Sequence, residues 1–249
     1  MTAPAGPEGR LGPEGRGRRT AVLLDALGTL VTFEDPAPAL RAGLAEAGVE
    51  VSADRARDAV RAEIGYYRAH HGAAGDAAAL AELRRGCARV VRDELALELP
   101  VDDLVPVVVG AFRFSTFPEV PRVLDALRAD GHALAVVSNW DVSLHEVLES
   151  TGLASRVDAV VVSAELGAAK PDPEPFRRAL AALGAGPDEA VHAGDSVEED
   201  LEGARAAGIR AVLVARHGAP QAPWRRDGVA PPDGVEAVSS LDGLLRIVA

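Results

Sequence analysis

The stretch TAVLLDALGT, residues 20–29, determines the fold that we predict for this chain. Its short apolar run ends at Asp25, and Gly28 and Thr29 follow. An apolar run of this length, bounded by a polar residue and a glycine, is typical of a buried strand that feeds a loop. The pattern therefore places the carboxylate of Asp25 at the carboxyl end of a strand.

Short apolar runs alternate with helical patterns over the second half of the chain. Further strands are predicted at Ala133–Val137, Ala159–Val162, Ala190–Ala193 and Ala211–Val214. Helices are predicted at Val120–Ala129, Val142–Gly152, Glu174–Leu183, Val197–Ala207 and Leu241–Ile247. Strands that alternate with crossover helices form a parallel sheet that is covered on both faces. The sequence therefore predicts an α/β fold.

A helical segment separates the first strand from the others. From about Pro36 to Phe114 the apolar residues recur at helical spacing, which predicts an all-helical insert over residues 36–115. Residues 20–35 and 116–249 are then expected to form the α/β core. Residues 1–19 contain the sequence GPEGR twice and little apolar material, so we expect a disordered tail there. We expect an exposed loop at Ala219–Pro232.

Composition and charge exclude several classes of protein. The chain has 26 Lys and Arg against 38 Asp and Glu, and its net charge of −12 argues against nucleic-acid binding. No apolar stretch approaches the roughly 18 residues that a membrane span requires. Cys87 is the only cysteine, so the chain cannot form an intramolecular disulfide, and we expect a cytoplasmic location.

Three of the predicted strands end in polar residues. Asp25 follows the first strand, Ser138 and Asn139 the second, and Asp195 the fourth, while Lys170 precedes a helix. The carboxyl ends of parallel strands lie at one edge of the sheet, where such folds bind ligands. Two carboxylates, a hydroxyl and an ammonium group at one edge suit a phosphoryl group with Mg²⁺, and one carboxylate can act as a nucleophile.

Lys170 and Asn139 are each unique in the chain. Lys170 is the only lysine among 26 basic residues, and Asn139 is the only asparagine. Lysine is a compact point charge, whereas arginine is a planar fork, so the two are not equivalent at a tight anion site. In a chain that otherwise avoids both residue types, these two positions are candidates for function.

Four sequence motifs, in order, resemble those of the haloacid dehalogenase-like (HAD) hydrolase superfamily, over about Thr20–Ala249. The matching stretches are Asp25–Leu30, Val136–Asn139, Ser163–Gly167 with Lys170–Pro173 and Phe176, and Gly194–Asp200 with Gly203–Ala204 and Ala207–Gly208. The resemblance implies a Rossmann-like core. It also implies that the helical insert is the small cap of subfamily I, which closes over the site and selects the substrate.

The resemblance also implies a role for each matching residue. Asp25 would be the nucleophile that forms an aspartyl-phosphate, and its carboxylate and the backbone carbonyl of Leu27 would hold Mg²⁺. Asp195 would be the second metal carboxylate, and Asp200 would support the metal's waters or Lys170. The groups that bind the phosphate of a small phosphorylated metabolite would be those of Gly28, Thr29, Ser138, Asn139 and Lys170, with Ser138 and Lys170 also catalytic.

Leu27 departs from the pattern of the family's phosphatases. Those enzymes carry Asp two residues after the nucleophile, as general acid and base. Loss of such a group typically costs 10² to 10⁴ in rate, so the sequence predicts slow turnover of esters with poor leaving groups. Candidates to replace the missing group are Glu34, Asp35 and Asp141.

The same departure leaves two other interpretations open. The 2-haloacid dehalogenases of the superfamily also lack the second Asp and need no metal. However, they have Tyr where this chain has Leu27 and Phe176, and Ser-Asn where it has Gly194-Asp195. A carboxylate at Asp195 would be an unexplained buried charge beside Asp25 unless a cation lay between them. The remaining interpretation is a catalytically weak member that binds a phosphorylated ligand or a protein partner.

Overall fold

The computed structural model of the chain describes residues 20–216 and 234–249. The tail predicted at residues 1–19 lies outside the described residues, as does the loop predicted at Ala219–Pro232. None of the helices in the described ranges is both long and apolar enough to cross a membrane.

The described residues form a six-stranded parallel sheet in the order β5-β4-β1-β6-β7-β8. Its strands are β1 (Ala21–Leu24), β4 (Ala133–Ser138), β5 (Ala159–Val162), β6 (Ala190–Gly194), β7 (Arg210–Val214) and β8 (Ala237–Val238). The first strand lies between β4 and β6, with Ala21 paired to Ala133 on one side and to Ala190 on the other. The strand that precedes Asp25 is therefore central.

Every residue of β1 is buried, because helices cover both faces of this sheet. Val22 and Leu24 contribute to an apolar cluster on one face, and Ala21 and Leu23 to a cluster on the other. The helices of the core are α5 (Val120–Ala129), α6 (Leu144–Ser150), α7 (Ser163–Leu166), α8 (Glu174–Leu183), α9 (Gly203–Ala206) and α10 (Asp242–Val248). The predicted Rossmann-like α/β fold is confirmed.

Four helices lie between the first two strands of the sheet, within the predicted insert. They are α1 (Pro36–Glu46), α2 (Ala53–His70), α3 (Ala77–Leu95) and α4 (Val101–Ala111). Side chains at Asp35, Ser52 and Asp76 cap the first three helices. These helices bury an apolar cluster of their own, which includes Leu44, Val60 and Leu104.

A short antiparallel ribbon joins the helices to the core. Its strands are β2 (Val31–Phe33) and β3 (Phe114–Thr116), and Val31 pairs with Thr116. The ribbon was not predicted, because three residues are too few to display the alternation of a strand.

The helices also contact the core away from this ribbon. The hydroxyl of Tyr67 in α2 donates to Asp141 Oδ2 at 2.7 Å, and the N–H of Val142 donates to the carbonyl of Ala74 at 3.0 Å. Arg84 and Glu146 form an exposed ion pair at 2.9 Å. The helices therefore lie against the loop that follows β4.

One buried carboxylate inside the helices makes their stability depend on pH. Glu63 is 5% exposed, and burial, partly offset by a hydrogen bond from Cys87, raises its pKa to about 7. In the unfolded chain this carboxyl titrates near 4.5. The folded state therefore holds its proton more tightly, and stability falls as pH rises through this window, by about 3 kcal/mol.

We expect Glu63→Gln to be more stable than the wild type above pH 7 and equal to it below pH 4.5, because the amide stays neutral. Thermal unfolding of both proteins at pH 5 and pH 8 checks this. Glu94→Gln, at an exposed position of α3, is the matched control and should change neither midpoint. An equal shift at both pH values would show that ionisation of Glu63 is not the cause.

Candidate active site

The carboxyl ends of three neighbouring strands bring the predicted site residues together. Asp25 follows β1, Ser138 ends β4 and Asp195 follows β6. Lys170 lies between α7 and α8 and reaches the same edge of the sheet, where its Nζ is 2.7 Å from Asp25 Oδ1. The convergence that the spacing predicted is present, while the catalytic role of each residue stays a prediction.

Lys170 lies buried between two carboxylates. Its Nζ donates to Asp25 Oδ1 at 2.7 Å and to Asp200 Oδ1 at 2.6 Å, and its side chain is 1% exposed. Burial disfavours the ammonium group, but Asp200 and Asp25 together outweigh burial and raise the pKa of Lys170. The lysine is therefore charged at neutral pH.

The pKa values of Asp25 and Asp200 are shifted in opposite directions, although both carboxylates bind the same lysine. Burial raises the pKa of Asp25, and Lys170 only partly offsets it. Burial also acts on Asp200, but there Lys170 and a hydrogen bond from His192 prevail and lower the pKa. The hydroxyl of Ser138 donates to Asp25 Oδ1 at 3.2 Å. Asp25 is thus a buried carboxylate that is costly to ionise, which is typical of a functional group.

A third carboxylate completes an acidic group that fits a divalent cation. Oxygen atoms of Asp25, Asp195 and Asp200 lie within 4.8 Å of one another. Carboxylate oxygens are the ligands that Mg²⁺ prefers. Gly28, at φ +87°, allows this arrangement, since a Cβ there would lie 2.1 Å from Asp195 Oδ2. The loop is therefore shaped so that the Asp195 carboxylate can lie against it.

Gly28→Ala is expected to displace Asp195 and thereby to weaken binding of a divalent cation, probed with Mg²⁺, on the order of 10- to 100-fold, the cost typical of altering the surroundings of a metal ligand. The measurement is the Mg²⁺ concentration that gives half of the metal-induced rise in melting temperature. Gly48→Ala is a matched control, because Gly48 has φ +80° and nothing within 4 Å of the added Cβ. Equal loss of Mg²⁺ affinity in both variants would contradict the assignment of Asp195, packed against Gly28, as a metal ligand.

A π-helical turn at Val197–Glu202 carries Asp200, the third member of this acidic group. Asp200 Oδ2 accepts from the N–H of Ser196 at 3.0 Å, and His192 Nε2 lies 2.9 Å from Asp200 Oδ1. Gly194 admits the carboxylate, because a Cβ there would lie 2.1 Å from its Cγ. The sequence predicted an ordinary helix over Val197–Ala207, and π-helical turns, which occur often at functional sites, have no simple sequence signal.

Asn139 holds the loop of Lys170 in place. Its Oδ1 accepts from the Lys170 N–H at 2.8 Å, and its Nδ2 donates to the Lys170 carbonyl at 2.9 Å and to Glu199 Oε2 at 3.1 Å. Its predicted contact with substrate stays a prediction, and the geometry assigns it a positioning role. The sequence analysis did not identify His192 or Glu199 as part of the site. The signal that could have identified His192 is its place as a polar residue inside an apolar strand.

The N–H groups of Gly28 and Thr29 are hydrogen-bonded within their loop. Gly28 donates to the carbonyl of Val31 at 2.8 Å, and Thr29 donates to the carbonyl of Ala26 at 3.4 Å. The Thr29 side chain is fully buried. Their predicted role as substrate donors therefore stays a prediction.

The candidate replacements for the missing acid and base lie in different surroundings. Asp141 is 1% exposed and uses both oxygens, accepting from the Tyr67 hydroxyl and from the Ser143 N–H at 2.7 Å each. Asp35 caps α1 through the N–H of Ala37. Glu34 is exposed. Asp141 and Asp35 thus already accept hydrogen bonds within the fold, and their role as a general acid or base stays a prediction.

Known proteins resemble this chain in sequence and in structure. A phosphoserine phosphatase of Thermus thermophilus is 43% identical over 112 residues, which are 45% of this chain and 45% of that protein. The chain spans about half the length of the curated relatives it matches. The crystal structure of a HAD phosphatase from Thermococcus onnurineus superposes with a TM-score of 0.61 at 25% identity, covering 92% of this chain and 98% of that one.

A dehalogenase shares the same fold. The 2-haloacid dehalogenase of Pseudomonas syringae pv. tomato superposes with a TM-score of 0.62 at 23% identity, over 92% of this chain and 97% of that one. The family model for haloacid dehalogenase-like hydrolases matches residues 20–208, which include Asp25, Lys170 and Asp200. The chain therefore belongs to the haloacid dehalogenase-like hydrolase family.

Proposed function

We propose that the protein is a Mg²⁺-dependent phosphatase that acts on a small phosphorylated metabolite through an aspartyl-phosphate at Asp25. The observation that carries the proposal is the buried carboxylate of Asp25, with Lys170 Nζ at 2.7 Å and two further carboxylates within 4.8 Å. A buried nucleophile beside a fixed cation is the arrangement that phosphoryl transfer requires.

The reaction has two displacements at phosphorus. A carboxylate oxygen of Asp25 bonds to phosphorus as the ester P–O bond breaks, and the leaving oxygen takes a proton from solvent. Water then attacks the phosphorus of the aspartyl-phosphate, which releases inorganic phosphate and regenerates Asp25. Lys170 and Ser138, which donate to Asp25 Oδ1 in the structure, would donate to phosphate oxygens when substrate is bound.

The residues present fit a magnesium ion. Asp25, Asp195 and the backbone carbonyl of Leu27 would hold it, with Asp200 in support, and all of these ligands are the hard oxygens that Mg²⁺ takes. The ion would neutralise charge on the transferring phosphoryl group. Oxygen atoms of three carboxylates lie within 4.8 Å of one another here, which supports a cation there.

We propose that the helices at residues 36–115 act as a cap over a core of residues 20–35 and 116–249. The separate apolar cluster of α1–α4 and the two adjacent connections in the ribbon support this division. We further propose a cytoplasmic location, because Cys87 is a buried free thiol.

Phosphate release from p-nitrophenyl phosphate and from a panel of phosphorylated metabolites, with Mg²⁺ and with chelator, tests the proposed function. We expect turnover that requires Mg²⁺ and is faster with the activated aryl ester. Halide release from a 2-haloacid in the presence of chelator would replace the proposal with a dehalogenase. Binding of phosphorylated ligands without turnover would replace it with a binding role.

A further inference from the structure

An arginine with a buried side chain lies outside the four motifs, beside the loop at residues 25–30, which we call the catalytic loop. Arg216 follows β7, and its side chain is 8% exposed. Its Nη2 donates to the carbonyl of Thr29 at 2.8 Å, and its Nε donates to the carbonyl of Gly28 at 3.2 Å. The guanidinium group thus holds two consecutive carbonyls of the loop that begins at Asp25.

The same guanidinium group contacts the chain that returns from the helical insert. Its Nη1 is 2.6 Å from Glu119 Oε1, and its Cζ lies 3.6 Å above the ring of Phe117. The N–H of Leu241 also donates to Glu119 Oε1, at 3.3 Å. Because Gly28 and Thr29 precede β2 while Phe117 and Glu119 follow β3, Arg216 lies at the base of the ribbon and touches both connections.

The contacts require a planar fork of donors. Three nitrogen atoms of one guanidinium group serve two carbonyls and a carboxylate, and its face covers an aromatic ring. A lysine ammonium is a point charge without this face and cannot make all four contacts. The ionised Glu119 supports the arrangement: Arg216 holds its pKa down although burial acts to raise it.

We propose that Arg216 is a positioning residue that clamps the catalytic loop to the base of the ribbon. Holding the carbonyls of Gly28 and Thr29 fixes the Gly28–Thr29 and Thr29–Leu30 peptide planes. The preceding peptide, which carries the Leu27 carbonyl, is held from its other side, because the N–H of Gly28 donates to the carbonyl of Val31 at 2.8 Å. The conformation of the loop then depends on the position of both connections to the insert. The kinetic part of this inference rests on the proposed phosphatase function.

Hydrogen exchange tests the clamp without any assay of activity. In Arg216→Lys, we expect amide exchange in peptides covering residues 26–33 and 114–119 to speed up together, on the order of tenfold, as for loss of a hydrogen bond to a charged group. Exchange in α8 should be unchanged. Glu119→Gln, which keeps the donors of Arg216, should give a smaller change in the same peptides.

The matched control is Arg210→Lys, at the start of β7. Arg210 likewise pairs with a carboxylate, Glu236 at 2.8 Å, and donates to a backbone carbonyl, that of Ile247 at 3.3 Å. Its substitution should leave exchange in both peptides unchanged. Unchanged exchange in Arg216→Lys, or acceleration in only one of the two peptides, would overturn the clamp.

Kinetics of the same variants separate this inference from the proposed function. We expect Arg216→Ala to lower kcat more than it raises KM, and guanidinium ion at millimolar concentration to restore part of kcat in Arg216→Ala but to do nothing for Arg210→Ala. An inactive wild type would refute the phosphatase and leave the exchange result to decide the clamp. An active wild type with Arg216→Ala equally active would refute the clamp alone.

Discussion

Asp25→Asn is expected to lower the rate of phosphate release by a factor on the order of 10⁴ or more, because it removes the proposed nucleophile and with it the proposed covalent path. The amide is nearly isosteric with the carboxylate, so Lys170 and Ser138 keep a neighbour of the same shape. A loss of phosphate release in this variant would therefore reflect the missing carboxylate rather than altered packing. Single-turnover measurements with p-nitrophenyl phosphate and Mg²⁺ check it.

The same substitution is expected to stabilise the metal-free protein at pH 8. Burial outweighs Lys170 and raises the pKa of Asp25, so the ionised carboxylate costs folding free energy at this pH. Lys170 retains Asp200 as its partner. Asp130→Asn, at an exposed position, is the control and should change neither activity nor stability. A variant that kept its activity would exclude the aspartyl-phosphate.

Leu27→Asp is expected to raise turnover of alkyl phosphates by 10² to 10⁴, the range typical of a general acid or base. Alkoxide leaving groups need a proton, whereas p-nitrophenolate does not, so the gain should be smaller for p-nitrophenyl phosphate, for which only the base in the second step helps. Leu27 is partly buried against the main apolar cluster of the core. Some loss of stability is therefore expected alongside the gain in rate.

Leu27→Asn is the matched control for this gain. The amide has the size and polarity of the aspartate side chain but cannot transfer the proton. Rates for a series of esters with graded leaving groups, in both variants and in the wild type, give the comparison. If Leu27→Asn raised the turnover rate as much as Leu27→Asp, or if neither variant raised it, the lack of a general acid and base would not be what limits the rate.

The sequence was sufficient to predict five of the six strands described in the sheet, and the edge at which the polar residues meet; the two-residue strand β8 was not predicted. Apolar runs such as Ala190–Ala193 have the length and composition of buried strands, and their alternation with helices leaves few topologies. The polar residue after each run, as at Asp25 and Ser138, then locates the site, since parallel strands end at one edge. That these groups lie close together could therefore be predicted without knowledge of any side-chain contact.

The groups that hold the site in shape could not be predicted in this way. His192 and Glu199 act through side-chain hydrogen bonds across the sheet edge, and no local pattern encodes such contacts. Arg216 lies far along the chain from the loop that it contacts. Gly28 could be named from its motif, but the reason for a glycine, the approach of Asp195, exists only in three dimensions.

The central position of β1 sets an order in which the chain can fold. Ala21 pairs with Ala133 and Ala190, so the strand that leads to Asp25 must wait for partners that are synthesised much later. The four helices between them make mostly local contacts and bury their own cluster, and local contacts form fastest. During synthesis the insert is therefore expected to fold first, while an apolar strand remains unpaired and exposed to aggregation until β4 emerges.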